Sequence, residues 1–383
     1  MGTNCLGRAL LLGALLKSSH EVAVVGINRS SFGTVWRPAS GFGIAVRDLR
    51  VTHAFKYPIA VRWLRRQLAG AQVIVSKPLF TSLGLTRLAG LRNDQFILDI
   101  DDWEVGLYRS SGSTGRLWDF IRPTSLNSFL SVDRLDRTIE HCLLRTVSNR
   151  WLADRYGGVI IPHVRDTQAL ARDPAARAAT RKRLKMDGGF WVGYVGTIRK
   201  HKGVGDLIAA VGRLPPNVGL YLAGVDASDS MASDVVARAR GELGEERLRV
   251  VHQFPFDELR LWLSAADVLC IPSRYEDGSV GQIPAKLFDA MAMGLPVVAS
   301  AINDIPEILD HDAGLVVPPG EPVALAAAIE RLLADRSLGE RLGSSARARA
   351  EERYSYQAGG RELRRLLSAL PVAIPARSSD ASG

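Results

Sequence analysis

The most constraining feature of the chain is the segment from Pro272 to Ser300, PSRYEDGSVGQIPAKLFDAMAMGLPVVAS. It follows an apolar run and places polar residues and glycines before Pro284, which opens a predicted helix. Gly294 ends that helix, and an apolar run then predicts a further strand. Because open parallel sheets bind ligands at the carboxyl ends of their strands, the loop before Pro284 is a candidate binding site.

Strand and helix patterns alternate along the chain, which predicts an α/β fold whose parallel sheets are covered by helices on both faces. The predicted strands are Val22–Ile27, Ala45–Arg50, Val73–Ser76, Phe96–Ile100, Val159–Ile161, Trp191–Gly196, Val218–Gly224, Leu248–His252, Val268–Ile271 and Val297–Ser300. The predicted helices are Leu6–Lys17, Ile59–Leu68, 203–213, 231–243, 256–265, 284–293, 322–334, 338–353 and Tyr356–Leu370.

The positive charge of the chain is concentrated in its first half. Residues 1–165 hold 22 Lys and Arg against 12 Asp and Glu, a net charge of +10, whereas the whole chain carries +9. This asymmetry predicts an anionic partner for the first half. Nucleic acid is not expected as that partner, because the sequence has no zinc-finger, ribonucleoprotein or helix-turn-helix signature.

A basic amphipathic helix is predicted within Lys56–Leu68. Its central basic and aromatic residues include Arg62, Trp63, Arg65 and Arg66. This composition fits an anionic membrane surface, and it fits a solvated helix face equally well. The three widely spaced cysteines, Cys5, Cys142 and Cys270, form neither a metal motif nor a disulfide framework, which indicates a reducing cytoplasm.

A second informative segment, GYVGTIRKHKG, runs from Gly193 to Gly203 and precedes the segment Pro272–Ser300 in the chain. We call these two segments the two sequence blocks. In order and spacing, the two blocks resemble the nucleotide-sugar site of the retaining GT-B glycosyltransferases, the glycosyl transferases group 1 type. The resemblance is strongest from Phe190 to Glu330. It implies two Rossmann-like, doubly wound domains that face a cleft.

The length of 383 residues suits two domains, and the resemblance assigns them. We expect an acceptor-side domain over 1–165, a linker over 166–189 and a nucleotide-sugar domain over 190–354. A helix over 355–370 should pack back on the first domain, and the tail 371–383 should be disordered. In the proteins that the chain resembles, a strand precedes the turn at Gly2–Arg8, so we expect the N-terminal sheet to lack its first strand because of a late start codon or trimming.

The basic first half suggests a lipid-linked or surface-glycan acceptor at the inner membrane. The resemblance implies transfer of a sugar to this acceptor from a nucleoside diphosphate sugar, with retention of anomeric configuration. It implies no tightly bound cofactor and no metal site. Such an enzyme would act in polysaccharide biosynthesis for the cell envelope, in the cytoplasm or peripherally at the inner face of the membrane. The alternatives are a sugar-nucleotide epimerase or phosphorylase on the same fold, or a degenerate protein that binds the nucleotide sugar without turnover.

Cleavage of a nucleotide sugar requires positive charge near the departing diphosphate. Lys202, before Gly203 at a predicted helix start, is well placed for this role. The family usually has an Arg five residues earlier, where this chain has Thr197, so Arg199 is expected to substitute for it. The alternative is a solvated basic turn.

The other donor-site residues follow from the resemblance. Asp289 takes the place of a Glu that binds the ribose hydroxyls, and this role is favoured over the alternative of a surface pair with Lys286. Glu276 matches the family's donor-sugar Glu, in a loop five residues longer than usual. The remaining expected donor contacts are Gly196, Thr197, Gly281, Gln282, Ile283 and Lys286.

Acidic residues follow a predicted strand of the first domain in the sequence Asp99–Glu104. The resemblance places this loop at the cleft and suggests a catalytic role for Asp101 or Asp102, with helix capping as the alternative. It also makes Gly2, Gly7 and Arg8 equivalent to the family's first loop, which faces the donor phosphate. Pro162–Asp166 is expected to have a structural role.

Overall fold

The structure is a computed structural model, and it describes residues 3–28, 41–52, 54–110, 127–186, 188–276 and 278–370. The chain forms two compact units. The first comprises Met1–Pro162 with Gly359–Gly383, and the second comprises His163–Ala358. The predictions for Gly2 and for the tail 371–383 lie outside the described residues.

The strands of the first unit are parallel and form two hydrogen-bonded groups. Strand β1 (Ala23–Asn28) pairs with β2 (Ala45–Arg50), with Ala23 opposite Ala45. The other group has the order β3-β4-β5-β6. Its strands are β3 (Val73–Ser76), β4 (Phe96–Ile100), β5 (Leu144–Val147) and β6 (Val159–Ile160). Every residue of β4 is buried, so the acidic loop that follows it starts from the interior of this unit.

Local sequence features mark where some helices of the first unit begin. Asn149 caps α6 by accepting a hydrogen bond from the backbone N–H of Leu152 at 3.0 Å, and Pro58 lies in the first turn of α2. The helices are α1 (Thr3–Leu16), α2 (Tyr57–Leu68), α3 (Leu85–Leu88), α4 (Glu104–Ser110), α5 (Phe129–Asp136) and α6 (Arg150–Tyr156).

The second unit contains one parallel sheet with the strand order β12-β11-β10-β7-β8-β9. The strands are β7 (Phe190–Val195), β8 (Val218–Val225), β9 (Leu248–His252), β10 (Val268–Ile271), β11 (Val297–Ser300) and β12 (Leu315–Val317). The strand order reverses between β7 and β10, which are neighbours in the sheet. Ligands of doubly wound sheets bind outside the carboxyl ends of the strands at such a switch point.

Both faces of this sheet are covered by helices. Along β7, Phe190, Val192 and Tyr194 belong to one hydrophobic cluster, whereas Trp191 and Val195 belong to another, as the two-residue period of a strand requires. The helices are α7 (Pro174–Arg183), α8 (Val204–Gly212), α9 (Ser230–Leu243), α10 (Leu259–Ser264), α11 (Ala285–Ala292), α12 (Ile305–Ile308), α13 (Pro322–Ala334) and α14 (Arg336–Arg353).

The last helix, α15 (Tyr356–Leu367), begins in the second unit and continues into the first. Within the first unit, the side-chain amide of Gln72 donates to the carbonyl oxygens of Leu367 and Leu370 at 3.0 and 2.8 Å. The segment predicted to be a linker, 166–189, contains α7 and lies in the second unit. Strands β5 and β12 were not predicted, because β5 contains Arg145 and β12 has only three residues.

Among the described residues, no helix combines the length and the apolarity that crossing a membrane requires.

Candidate donor site and acidic cluster

The two sequence blocks meet in the second unit, at the carboxyl ends of β7 and β10. The backbone N–H of Arg274 donates to the carbonyl oxygen of His201 at 2.9 Å. The ammonium group of Lys202 donates to Oε1 of Gln282 at 2.6 Å. The loop before α8 and the loop before α11 therefore form one surface at the switch point of the sheet.

The Gln282 loop is held from a neighbouring strand. Asn303, which follows β11, donates from Nδ2 to the carbonyl oxygens of Ser279 and Gln282, both at 2.8 Å. Asn303 has a φ of 49° and Gly281 has a φ of 69°, conformations that Asn and Gly adopt most readily. These bonds hold the backbone of the loop from which the Gln282 side chain contacts Lys202.

The ammonium group of Lys286 is buried between the two blocks. Its Nζ lies 3.5 Å from the centroid of the Tyr194 ring and has no hydrogen-bond acceptor among the described residues. A Cβ atom at Gly196 would lie 3.3 Å from this Nζ. Burial and the charge of Lys202 hold the pKa of Lys286 well below its ordinary value, although Asp289 raises it. An anion bound at this position would favour the protonated, positively charged form of this amine.

Asp289 does not form the surface pair with Lys286 that was the alternative expectation. It lies on α11 with a side chain only 7% exposed, and its partner is Arg165. Nε of Arg165 donates to Oδ1, and a second nitrogen approaches Oδ2 at 3.4 Å. The carboxylate is thus held by a two-point contact from the segment that was assigned only a structural role.

The structure places three further predicted residues in the same unit. Arg199 pairs with Asp229, the N-cap of α9, at a half-exposed position. Glu276 lies 3.5 Å from Nζ of Lys200. The carbonyl oxygen of Thr197 accepts a hydrogen bond from the Tyr194 hydroxyl at 2.8 Å. Arg199 and Glu276 are therefore both ion-paired, and their assigned roles stay predictions.

The acidic loop of the first unit surrounds a lysine. Nζ of Lys77 lies 3.0 Å from Asp101, 2.8 Å from Asp102 and 2.7 Å from Glu104. All four residues are buried. Burial raises the pKa of the Asp101 carboxyl to about 7, although Lys77 lowers it. The three carboxylates could together hold a metal ion, but in this arrangement the Lys77 ammonium provides the positive charge that they share.

The side chain of Arg8, which was expected to be equivalent to the family's first loop, is directed into the first unit. Gly7 and Arg8 lie inside α1, and the Arg8 guanidinium is buried. It binds Asp99 through Nε and Nη2 at 3.0 and 2.8 Å and donates to the carbonyl oxygen of Ile161 at 2.7 Å. The guanidinium N–H groups of Arg8 thus donate to acceptors within the first unit, so Arg8 stabilises that unit.

The basic helix α2 presents its arginines to solvent. Arg62, Arg65 and Arg66 are exposed, whereas Trp63 is half-buried and packs against a small hydrophobic cluster. Ile59, near the start of the same helix, is 56% exposed. The surface thus combines cationic and apolar groups.

Sequence reasoning did not identify Lys77, Arg165, Tyr194 or Asn303 as members of these sites. A signal was present for two of them. Lys77 directly follows β3 and Asn303 follows β11, and polar residues that follow buried parallel strands lie at the ligand-binding edge. Arg165 had no such signal, because it reaches Asp289 from 124 residues away.

Part of the chain is similar to known glycosyltransferases. The family model of the glycosyl transferases group 1 matches residues 189–335, which include both sequence blocks. The chain is 32% identical over 179 residues to the amylovoran biosynthesis glycosyltransferase AmsK of Erwinia amylovora, which covers 46% of this chain and 44% of that protein. The chain spans about half the length of the curated relatives it matches.

Solved structures match over nearly the whole chain. Sucrose-phosphate synthase from Thermosynechococcus elongatus has a TM-score of 0.73 and 22% identity, with 97% of this chain and 94% of that chain covered. Anabaena Alr3699/HepE in complex with UDP-glucose has a TM-score of 0.74 and 18% identity, with 95% and 96% covered. These likenesses confirm the predicted fold, an α/β fold of GT-B type with two Rossmann-like domains.

Proposed function

We propose that the chain is a glycosyltransferase that moves a sugar from a nucleoside diphosphate sugar to a glycan or lipid-linked acceptor. One observation carries the proposal: Lys202, Gln282 and Lys286 converge at the switch point of the second sheet, inside the segment that matches the group 1 family. The names of the relatives support transfer rather than epimerisation or phosphorolysis.

The chemistry of the leaving group explains the cations. When the bond between sugar and phosphate breaks, negative charge accumulates on the nucleoside diphosphate, and fixed positive groups stabilise that charge. Lys202, just before α8, and Lys286, in the first turn of α11, are proposed to supply this positive charge. The loop residues Gly281, Gln282 and Ile283, just before α11, are proposed to contact the phosphates or the sugar hydroxyls. Thr197 and Gly196 line the same turn.

Asp289 is proposed to bind the ribose, because an ionised carboxylate accepts hydrogen bonds from two hydroxyl groups. Glu276 is proposed to contact the donor sugar, and Arg199 to add charge at the diphosphate. The resemblance of the two blocks supports retention of anomeric configuration, with the acceptor proton passing to the departing phosphate. In that reaction Asp102 would contact the acceptor or the transferred sugar rather than serve as an obligatory base.

The acceptor is proposed to be an intermediate of envelope polysaccharide synthesis at the inner face of the membrane. The biosynthetic role in the name of AmsK supports the acceptor class. The exposed arginines of α2, with Ile59 beside them, support attachment to an anionic membrane surface.

The test is release of nucleoside diphosphate from UDP-glucose, the ligand of HepE, and from GDP-mannose and other donors, with lipid-linked acceptors from envelope extracts. We expect Lys202→Ala to slow release about 10- to 100-fold, since a charge-assisted contact contributes roughly 1.5–3 kcal/mol. Lys182→Ala, on the exposed side of α7, is the matched control and should not change the rate. Equal rates for both variants would remove Lys202 from the site, and proton NMR of the first product tests retention.

A further inference from the structure

We propose that Arg165 is a positioning residue that holds the Asp289 carboxylate in the orientation required to select a ribose over a deoxyribose. The inference rests on the proposed function, in which Asp289 binds the nucleoside. It goes further by making ribose selection depend on a residue outside both sequence blocks.

Two hydrogen bonds hold the backbone of Arg165 in place. Its N–H donates to the carbonyl oxygen of Tyr354 at 2.7 Å, and its own carbonyl oxygen accepts from the N–H of Tyr356 at 3.0 Å. These two bonds form a parallel bridge opposite Ser355. Arg165 is therefore anchored on the segment that joins α14 to α15.

The guanidinium group is fixed as well. It donates to the carbonyl oxygens of Val164 at 3.0 Å and Ala285 at 3.1 Å, in addition to both oxygens of Asp289. Ala285 is the first residue of α11, so Arg165 spans the helix from its start to the Asp289 side chain. A planar group held at four points leaves the carboxylate little freedom to rotate.

The position of Asp289 suits a nucleoside whose phosphates lie at the two blocks. Lys286 and Asp289 are three residues apart on α11, so they lie on one helix face about one turn apart. Lys286 faces the Gly196 turn, where the diphosphate is proposed to bind. The ribose, which is joined to the phosphates, would then reach the next turn of the same face.

The pairing leaves the carboxylate able to bind a ligand. A carboxylate has about four acceptor positions, and Arg165 uses one on each oxygen. The positive charge of Arg165 offsets the cost of burying this carboxylate, whose remaining acceptor positions can bind hydroxyl groups. The side chain of Asp289 is shorter than the Glu that the family usually has at this position. Without Arg165, it would lose the contacts that fix its orientation.

The experiment measures dissociation constants for matched pairs of nucleotides, UDP with 2′-deoxy-UDP and GDP with 2′-deoxy-GDP, by calorimetry. We expect the wild type to bind the ribonucleotide of the accepted base about 10-fold or more tightly, because the deoxy form loses a hydrogen bond to a charged group. Arg165→Met should reduce this ratio toward 1. Arg165→Lys, which keeps the charge but not the planar fork, should give an intermediate ratio.

Arg172→Met is the matched control. The Arg172 guanidinium also comes from the segment before β7 and binds α11, but at its far end, through the carbonyl oxygens of Met293 and Gly294. Its removal should lower stability without changing the ribose-to-deoxyribose ratio. A merely structural role for Arg165 would give the same pattern as Arg172.

The outcomes separate the inference from the proposed function. A folded wild type that binds none of the nucleotides contradicts both. Binding with equal affinity for the two members of each pair, or an unchanged ratio in folded Arg165→Met, overturns the inference alone. If Arg165→Met does not fold, the ratio in Arg165→Lys decides, and failure of both variants to fold would assign Arg165 to structure and overturn the inference.

Discussion

Gly203 packs directly against the carbonyl oxygen of Pro272: a Cβ atom at Gly203 would lie 1.8 Å from that oxygen. Gly203 also has a φ of 67°, in the left-handed region. The contact brings the start of α8, and with it Lys202, against the loop that follows β10. Only glycine satisfies both requirements, so this residue determines how closely the two sequence blocks approach.

Gly203→Ala should therefore destabilise the second unit by at least about 2 kcal/mol, from overpacking and from the left-handed conformation. The midpoint of thermal unfolding would report the loss. Gly212→Ala, at the end of α8, is the control, because its new Cβ would meet only Leu243 at an ordinary 3.9 Å. The control should be neutral or slightly stabilising. Equal effects of the two substitutions would contradict the close packing.

The buried amine of Lys286 predicts proton uptake when a nucleoside diphosphate binds. Its pKa is lowered by burial and by Lys202 and raised by Asp289, and the Tyr194 ring also faces the amine. A bound diphosphate would raise that pKa, so the amine would take up a proton and the affinity for UDP or GDP would fall as the pH rises. Calorimetry in buffers of different ionisation enthalpy measures the protons. Lys286→Met should abolish the uptake, and an unchanged uptake would exclude Lys286 as its source.

The acidic cluster predicts a pH-dependent effect on stability. The folded-state pKa of Asp101, about 7, lies above its ordinary value of 3.8, so the folded protein binds more protons between about pH 4 and 7. Its stability therefore falls as the pH rises through that window. Asp101→Asn should stabilise the protein more at pH 8 than at pH 5, with a difference of about 1 to 3 kcal/mol.

Thermal unfolding at the two pH values checks this prediction for Asp101. The control is Asp94→Asn, at a partly exposed position where Asp94 pairs with Arg92. It should change the unfolding midpoint little at either pH. An Asp101→Asn variant that is less stable than wild type at pH 8 would show that the ion pair with Lys77 outweighs the cost of burial.

The exposed arginines of α2 predict binding to anionic vesicles. Replacing Arg62, Arg65 and Arg66 by Gln should weaken sedimentation with phosphatidylglycerol vesicles by up to about 100-fold, at roughly 1 kcal/mol for each charge. The binding of the wild type should also weaken with added salt.

A triple Gln variant of Arg213, Arg341 and Arg353, exposed residues of the second unit, controls for the change in net charge. It should bind the vesicles like wild type. Equal losses in both triple variants would attribute binding to overall charge and remove the specific role of α2.

The fold was predictable from sequence because its strands are apolar runs separated by clear breaks. Val73–Ser76, Phe96–Ile100 and Val297–Ser300 have the predicted bounds. In the second unit, α8, α9, α10, α11, α13 and α14 were predicted to within a few residues, since Pro and Gly mark several of their ends. Helix α7 was missed because its segment is polar and was predicted to be a linker, and α12 was missed because it has only four residues. Short or polar elements escaped prediction, as with β5, where Arg145 interrupts the apolar pattern.

Only those residues of the candidate site that lie in recognisable sequence segments could be predicted. Lys202 and Gln282 lie in loops whose composition marks them, and the structure brings them into contact. The pairing of Asp289 with Arg165 and of Lys77 with three carboxylates depends on long-range packing. Periodicity and spacing within one segment contain no information about such partners.

The most direct test of the central claim is thermal unfolding of the wild type and Lys202→Ala with UDP, GDP, ADP, CMP and dTDP and with their common sugar conjugates. A ligand at 100 times its dissociation constant stabilises a protein by about 2.7 kcal/mol, which is readily measured. We predict a clear rise in the unfolding midpoint of the wild type with the nucleotides of one base, and a much smaller rise for Lys202→Ala. No rise with any of these ligands, in a protein shown to be folded, would contradict the assignment of a nucleotide-sugar site to Lys202, Lys286 and Asp289.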